Sequence, residues 1–493
     1  MPTSLTLTRA RLGSGGPLGG LRITDGRITA LGPDVTGGDG PVRDLDGRTV
    51  LPGLWDAHVH LGQWAKVRHQ LDLAGAASAR EAAEAVRAYA AATAGAGAGA
   101  GPVVGYGFRD GLWPDTPEKS LLDAVCPDRA VALVSGDLHA AWFNSAGLTL
   151  VGRAGHPTGL LREGDAFRAV SALPDVPSGV LDGWVADACG AAAARGVCGV
   201  VDFHIADNVG DWTRRAARAR PGVRVDAAVY PPYLDEVLAR GLRTGDALPG
   251  TGGLVRIGPL KLFTDGSLNT RTALCRDPYP GLEGTPGEYG VEETPYEELV
   301  RLMRRAAEHG IMPAVHAIGD RANTRALDAF AEVGRAGRIE HAQLLSPDDV
   351  ARFAALGVTA GVQPAHATDD RDVADRHWAG RTGRAFAYGD LLAAGAQLEF
   401  GSDAPVSPLD PWIGIAAAVH RTADERPAWH PEQRMAVGDA LTASARGRAA
   451  LAVGDAADLV VVDVDPLKAD AATLRAMPVH ATLTDGRFTH GPV

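Results

Sequence analysis

Residues 51–64 read LPGLWDAHVHLGQW: an apolar segment bounded by a Pro-Gly turn, carrying two histidines, His58 and His60, with one valine between them. Side chains two apart on a β-strand point the same way. A strand over Gly53–His60 therefore sets both imidazoles on one face at its C-terminal end. Imidazole is the commonest protein ligand for zinc-like metals. On its own, the pair also fits two polar histidines at a strand end, so the rest of the chain has to decide.

Seven further segments have strand character: Val197–His204, Val223–Tyr230, Val255–Phe263, Ile311–Ala317, Arg338–Ala342, Val358–Gln363 and Gln397–Gly401. Helix-like runs such as TPYEELVRLMRRAAEHG and SPDDVARFAALG lie between most of them. That alternation predicts an α/β fold with a parallel sheet. Eight strands suggest a TIM (β/α)8 barrel, whose active site lies at the C-terminal strand ends. The gap from about 63 to 195 is too long for one crossover and predicts a large insertion after the first strand.

The two ends of the chain resemble one another. RITDGRITALG near the start and ATLTDGRFTHG near the end each read as strand, Asp-Gly turn, strand. Asp-Gly favours the tight hairpin turn because both central residues take positive φ. We expect residues 1–52 and 450–493 to form one small β-sandwich domain, with the metal-dependent barrel (53–449) inserted into it.

The later strands strengthen the metal reading. Beyond His58 and His60, the fifth strand ends in His316, the sixth in His341 and the eighth in Asp403. Lys261 lies on the fourth strand in phase with Ile257, Pro259 and Phe263. A lysine in such company needs a carboxylate partner or a chemical change, because an isolated buried charge is costly. Singly, His341 could be a satisfied core histidine and Lys261 could pair with Asp265. Jointly, polar groups at the same end of five strands predict a divalent metal site. His204 and His366 also end strands and may be read as facing substrate; neither is assigned a ligand role.

Composition narrows the class. The 493 residues are 45% hydrophobic and 22% charged, as in a globular protein, and the net charge of -12 argues against a nucleic-acid surface. No stretch approaches the roughly 18 apolar residues of a membrane helix. The N-terminal MPTSLTLTRARLGSGG lacks a signal-peptide core, so a cytoplasmic protein is expected. The four cysteines form no C-x-x-C pair and suggest neither a thiolate site nor a disulfide framework. TAGAGAGAG, from Thr93 to Gly101, reads as a flexible linker or as composition bias.

In combination, LPGLWDAHVHL, LKLFTDGSLNTRTAL followed by PY, HAIGDRA, IEHAQ and GSDAPV resemble the signatures of the amidohydrolase superfamily, family 3, in its N-substituted formamide deformylase-like branch. LDAVCPDRAVALVSGDLHAAWFNSAGL and TGLLRE in the insertion resemble the same branch. The likeness runs from about residue 20 to the C-terminus. It departs from the family in the short junction RGRAALAVGDAADLVVVD before the last strands, which leaves the metal motifs intact.

The resemblance implies a barrel with a flanking β-sandwich and one or two divalent metals, with zinc the expected ion. Its ligands would be His58, His60, Lys261, His316, His341 and Asp403, with Lys261 N6-carboxylated by CO2 as a bridging carbamate. A metal lowers the pKa of its water and polarises the scissile carbonyl. Asp403 would take the proton from the nucleophile and return it to the leaving amine, while His341 completes the metal shell or steadies the oxyanion. The expected reaction is hydrolysis of a non-peptide C–N bond in a small amide or N-substituted formamide. A deaminase or cyclic-amide hydrolase on the same scaffold is the alternative, and a metal-free binding or assembly relative a more distant one. The chain could pair as a homodimer.

Weaker candidates for substrate contact are His139, Asn144 and Trp113 in the insertion and Asp265 and Arg271 after the fourth strand; His139 and Asn144 fit equally a role in holding the insertion together, and Asp265 and Arg271 an ion pair that shapes the loop. Trp64, Tyr106, Phe108, Trp113, Trp142 and Phe143 gather in the insertion although only 5% of the chain is aromatic, so either a substrate pocket or the insertion's own core is expected there. Asp320, at the start of a helix, reads as an N-cap.

Overall fold

The computed structural model describes residues 4–38, 40–93, 101–110, 113–136 and 140–491. His139 and residues 94–100 of the glycine-alanine run lie outside them. The chain divides into two compact units, residues 1–63 with 185–493, and residues 64–184.

The first unit contains eight parallel strands: β1 (Leu54–Val59), β2 (Val197–Asp202), β3 (Arg224–Val229), β4 (Val255–Phe263), β5 (Pro313–Ala317), β6 (Arg338–His341), β7 (Thr359–Val362) and β8 (Leu398–Phe400). Each pairs with its neighbour in chain order. Just past the strand ends the circle is closed by a parallel bridge between Val59 and Ala404. There Asp403 N donates to His58 O at 2.7 Å and His60 N to Ala404 O at 2.9 Å. This is the α/β barrel the alternating pattern predicts, each strand falling within a residue or two of its expected bounds. Glycine makes the closure possible, since a Cβ at Gly401 would lie 2.6 Å from the Cβ of His58.

Both chain ends contribute to a second sheet. Its order is 487–490, 479–484, 459–462, 49–52, 4–12, 18–24, 27–32, with 42–44 also beside 4–12. Leu7, Leu21, Ile28, Val50, Leu459 and Leu483 are buried in one core there. The Asp-Gly turns behave as their chemistry requires: Asp25 and Gly26 have φ of 48° and 75°, Asp485 and Gly486 of 55° and 71°. The turns meet at Ala457, whose N donates to Gly26 O while its O accepts from Gly486 N.

The unit of residues 64–184 has its own five-stranded sheet, ordered 160–162, 140–143, 131–135, 103–108, 71–72. Phe108, Leu133 and Trp142 are buried in a core against which Trp113 packs. Among the described residues no helix is long and apolar enough to cross a membrane.

Candidate metal centre

The barrel interior carries charge, and that charge orients the first histidine. Arg338 and Glu340 alternate inward on β6. Arg338 donates from Nε to Glu340 Oε1 at 2.7 Å and from Nη1 to Glu399 of β8. Burial alone would raise the Glu340 carboxyl; Arg338, with His58 and Lys261, outweighs it and holds the group at about 2. The ionised carboxylate accepts from His58 Nδ1 at 2.8 Å. The imidazole proton is thus fixed on Nδ1, which leaves the Nε2 lone pair free. Asp56 completes the support. Its carboxyl, raised to about 7 by burial, accepts from His58 N and from both N and Oγ of Ser402, tying β1 to the turn after β8.

His341 and Asp403 reach the same place through unusual backbone. Their φ values are 76° and 58°, in a region that costs non-glycine residues of order 1–3 kcal/mol. Leaving the extended conformation lets His341 turn inward directly after the inward-pointing Glu340. His341 Nδ1 donates to Gln363 Oε1 at 2.9 Å, again freeing Nε2. His316 Nε2 donates to Gly266 O at 2.9 Å, which frees its Nδ1.

These groups converge. His58, His60 and Asp403 offer ligand atoms all within 4.8 Å of one another, and His341, His366 and Asp403 do the same. Asp403 Oδ1 lies 3.2 Å from His60 Nε2 and 3.6 Å from His58 Nε2. The rings of His58 and His316 lie 4.8 Å and 4.5 Å from that of His341. Lys261 Nζ sits 4.8 Å from the centre of the Phe203 ring and 5.1 Å from that of Phe263, and these rings pack on His58 and His316 in turn.

Protonation matches a cation site. Burial, then the Lys261 charge, lowers His58 to about 4 and His316 to about 3. Burial, then His316 and His58, puts His341 well below the ordinary value. Burial would raise Asp403, but His60, His58 and His341 outweigh it and keep it ionised. Burial brings Lys261 down to about 8. At neutral pH the rings of His58, His316 and His341 are neutral and Asp403 is a carboxylate, the forms that bind metals.

The fit to a metal has a direct test in unpaired atoms. His58 Nε2 and Lys261 Nζ are buried without a hydrogen-bond partner among the described residues. Leaving such atoms unmade costs about 1–3 kcal/mol each. Their concentration at one strand-end cluster fits a coordinated cation.

The remaining candidates are placed elsewhere or otherwise employed. Asp265 is buried and accepts from Leu274 N, Ile318 N and Gly319 N, so it shapes the loop after β4. Its carboxyl, raised to about 7 by burial, is also 3.4 Å from His316 Nε2. Arg271 is half-buried in that loop, at φ 57°, and its charge, after burial, lowers His377.

Asn144 takes the structural one of its two expected roles. Its Oδ1 accepts from Val131 N and Gly147 N while its Nδ2 donates to Cys126 O and Arg129 O, so its amide is spent within the 64–184 unit. Trp113 likewise donates from Nε1 to Ala76 O and packs near Phe108 and Trp142, a core position. Asp320 begins a helix with its carboxylate accepting from Arg276 N and paired with Arg384, instead of capping its own helix.

Reading the sequence missed Glu340 and Gln363. The inward Arg-x-Glu alternation of RIEH was the available signal for Glu340. His366, read from the sequence as facing substrate without a ligand role, offers a ring nitrogen to the cluster.

A family model described as "Amidohydrolase family" matches residues 41–490. A Bacillus subtilis (strain 168) protein named as an amidohydrolase, YtcJ, is 29% identical, with 90% of each chain covered. The N-substituted formamide deformylase of Arthrobacter pascens is 26% identical, covering 94% of this chain and 93% of that one. Among solved structures, an uncharacterized metal-dependent hydrolase from Pyrococcus horikoshii superposes with a TM-score of 0.81 at 26% identity, over 95% of this chain and 99% of that one.

Proposed function

The chain belongs to the amidohydrolase family and is a metal-dependent hydrolase of that type; on that premise we propose that it cleaves a non-peptide C–N bond, with N-substituted formamides as the leading substrate class. The carrying observation is Asp403, an ionised carboxylate 3.2 Å from His60 Nε2 and 3.6 Å from His58 Nε2, which is unpaired among the described residues. The deformylase likeness supports the choice of substrate class.

His58, His60, His316, His341 and Asp403 would hold one or two divalent ions, which we take to be zinc. Such an ion supplies a Lewis acid and a water acidified towards neutrality. Lys261 suits carboxylation. With its pKa near 8 and no hydrogen-bond partner among the described residues, the neutral Nζ can add to the carbon of CO2 and lose a proton. The carbamate then offers oxygen donors that an amine lacks. Asp403 accepts the proton of the attacking water at a carboxylate oxygen and passes it to the amine nitrogen as the C–N bond breaks.

The test is a screen of metal-loaded protein against N-substituted formamides, other amides, cyclic amides and amino-substituted heterocycles. Release of formate and amine supports the reading. Ammonia released from the heterocycles, with every amide untouched, would replace it with a deaminase.

A further inference from the structure

Four histidines of the cluster differ in what faces their outer nitrogen. His58 Nδ1 meets the Glu340 carboxylate, His341 Nδ1 the Gln363 side-chain oxygen, and His316 Nε2 the Gly266 carbonyl. Each of these partners is an acceptor. The ring proton must sit on that outer nitrogen, so the other nitrogen keeps its lone pair, as a ligand requires. For His60 the corresponding atom, Nδ1, has no partner among the described residues.

His366 is arranged the other way. It lies on the short helix Pro364–Asp369 that follows β7, and it is 4% exposed. Its Nδ1 is 3.4 Å from Nε2 of Gln343, which is itself buried, at 3% exposure, just beyond β6. An amide nitrogen can only donate. With the Gln343 amide in this orientation, which leaves its Oε1 buried without a partner among the described residues, His366 Nδ1 is the acceptor and the ring proton sits on Nε2. That nitrogen is buried and unpaired among the described residues, in a ring that offers a nitrogen within 4.8 Å of His341 and Asp403. A protonated nitrogen has no lone pair with which to ligate; it has a hydrogen to give.

We propose that His366 is a catalytic hydrogen-bond donor and not a metal ligand, its Nε2–H serving the substrate oxygen that gains negative charge when the carbonyl is attacked, with Gln343 as the positioning residue that sets the tautomer. The inference rests on the hydrolase reading above for the identity of that oxygen. The tautomer rests on the orientation of the Gln343 amide. Placing a preorganised donor at developing charge in a water-poor site is among the strongest catalytic devices, removal of one such donor costing roughly 10²–10³-fold in kcat.

The experiment compares wild type with His366→Phe, Gln343→Glu and Gln343→Ala, all loaded with zinc. Each is measured for metal stoichiometry, for hydrolysis of 4-nitroformanilide and the amide panel, and by nitrogen-15 NMR of labelled histidine, assigned by the signals lost in His366→Phe. Wild type should show the His366 ring neutral with its proton on Nε2. His366→Phe should keep the full metal complement while kcat falls by about 10²-fold or more. Gln343→Glu offers Nδ1 an acceptor, so it should move the proton to Nδ1 and lower kcat with metal retained. Gln343→Ala should lower kcat less than Gln343→Glu, with KM little changed.

A wild-type ring protonated on Nδ1, or metal lost from His366→Phe, would overturn the proposal by making His366 a ligand. So would unchanged kcat in an intact, metal-loaded His366→Phe. If wild type turned over nothing in the panel, the proposed reaction would fail on its own, and the NMR and metal measurements would still decide the tautomer.

Discussion

His58 Nδ1 lies 2.8 Å from Glu340 Oε2, and both side chains are buried. The partnership joins β1 to β6 across the barrel and decides which imidazole nitrogen faces the cluster. Partners of this kind behind a metal-binding histidine are typically worth 10–100-fold in metal affinity. Glu340→Gln should therefore weaken zinc binding by about that factor, measured by competition with a chelating dye. Affinity equal to wild type would show that the His58 tautomer is set without Glu340.

Lys261 is the second case. Lys261→Ala should lose at least one metal equivalent and most activity, and a short carboxylic acid should restore part of both. A crystal structure of the metal-loaded protein with Lys261 as a free amine would reject carboxylation and leave the other ligands in place.

Asp403→Asn keeps the size of the side chain but removes its capacity to accept a proton. We expect kcat to fall by roughly 10²–10⁴-fold, the usual worth of general acid–base catalysis. A variant with near-wild-type kcat would assign the proton transfer to another group.

The metal-free protein should be acid-sensitive over a defined window. His58 and His316 have folded values of about 4 and about 3, below the ordinary 6.5. Between those values the unfolded chain binds more protons than the folded one, so stability rises with pH there. It is fully present above about 6.5 and is lost as pH falls towards 4 and then 3. Asp56 and Asp265, raised to about 7, take up protons on folding over the same range and offset part of this; melting of chelator-treated protein should therefore fall from pH 6.5 to pH 4 by less than the histidines alone would give, and added zinc at pH 7 should raise it. A melting temperature that rises as pH falls from 6.5 to 4 would contradict the buried, neutral state of these rings.

Trp142 is fully buried in the 64–184 unit. Trp142→Ala should cost roughly 3–5 kcal/mol of that unit's stability, as aromatic-to-alanine core changes do, with metal content unchanged. Altered substrate preference at unchanged melting temperature would instead restore the pocket role.

Much of this was legible in the sequence because it is local. Strand alternation places His58 and His60 on one face, and Asp-Gly chemistry fixes the two terminal hairpins. The less legible features depend on distant partners or on departures from ideal backbone. Glu340 matters because register sets it against His58, which is 282 positions away. His341 and Asp403 point inward through positive φ, so strand periodicity cannot predict their direction. His366 sits past the end of its strand, on a helix, where alternation says nothing. The aromatics of the insertion look alike in sequence whether they line a pocket or fill a core, and only the packing of Trp113 and Trp142 distinguishes the two.

The most direct measurement is elemental analysis of extensively purified wild type beside the His58→Ala/His60→Ala double variant, with circular dichroism to verify that both are folded. The account predicts a divalent metal, zinc, at one or two equivalents in wild type, and in the folded double variant the loss of at least one equivalent together with hydrolytic activity. Full metal occupancy in the double variant, or hydrolysis by a wild type stripped of metal, would contradict it.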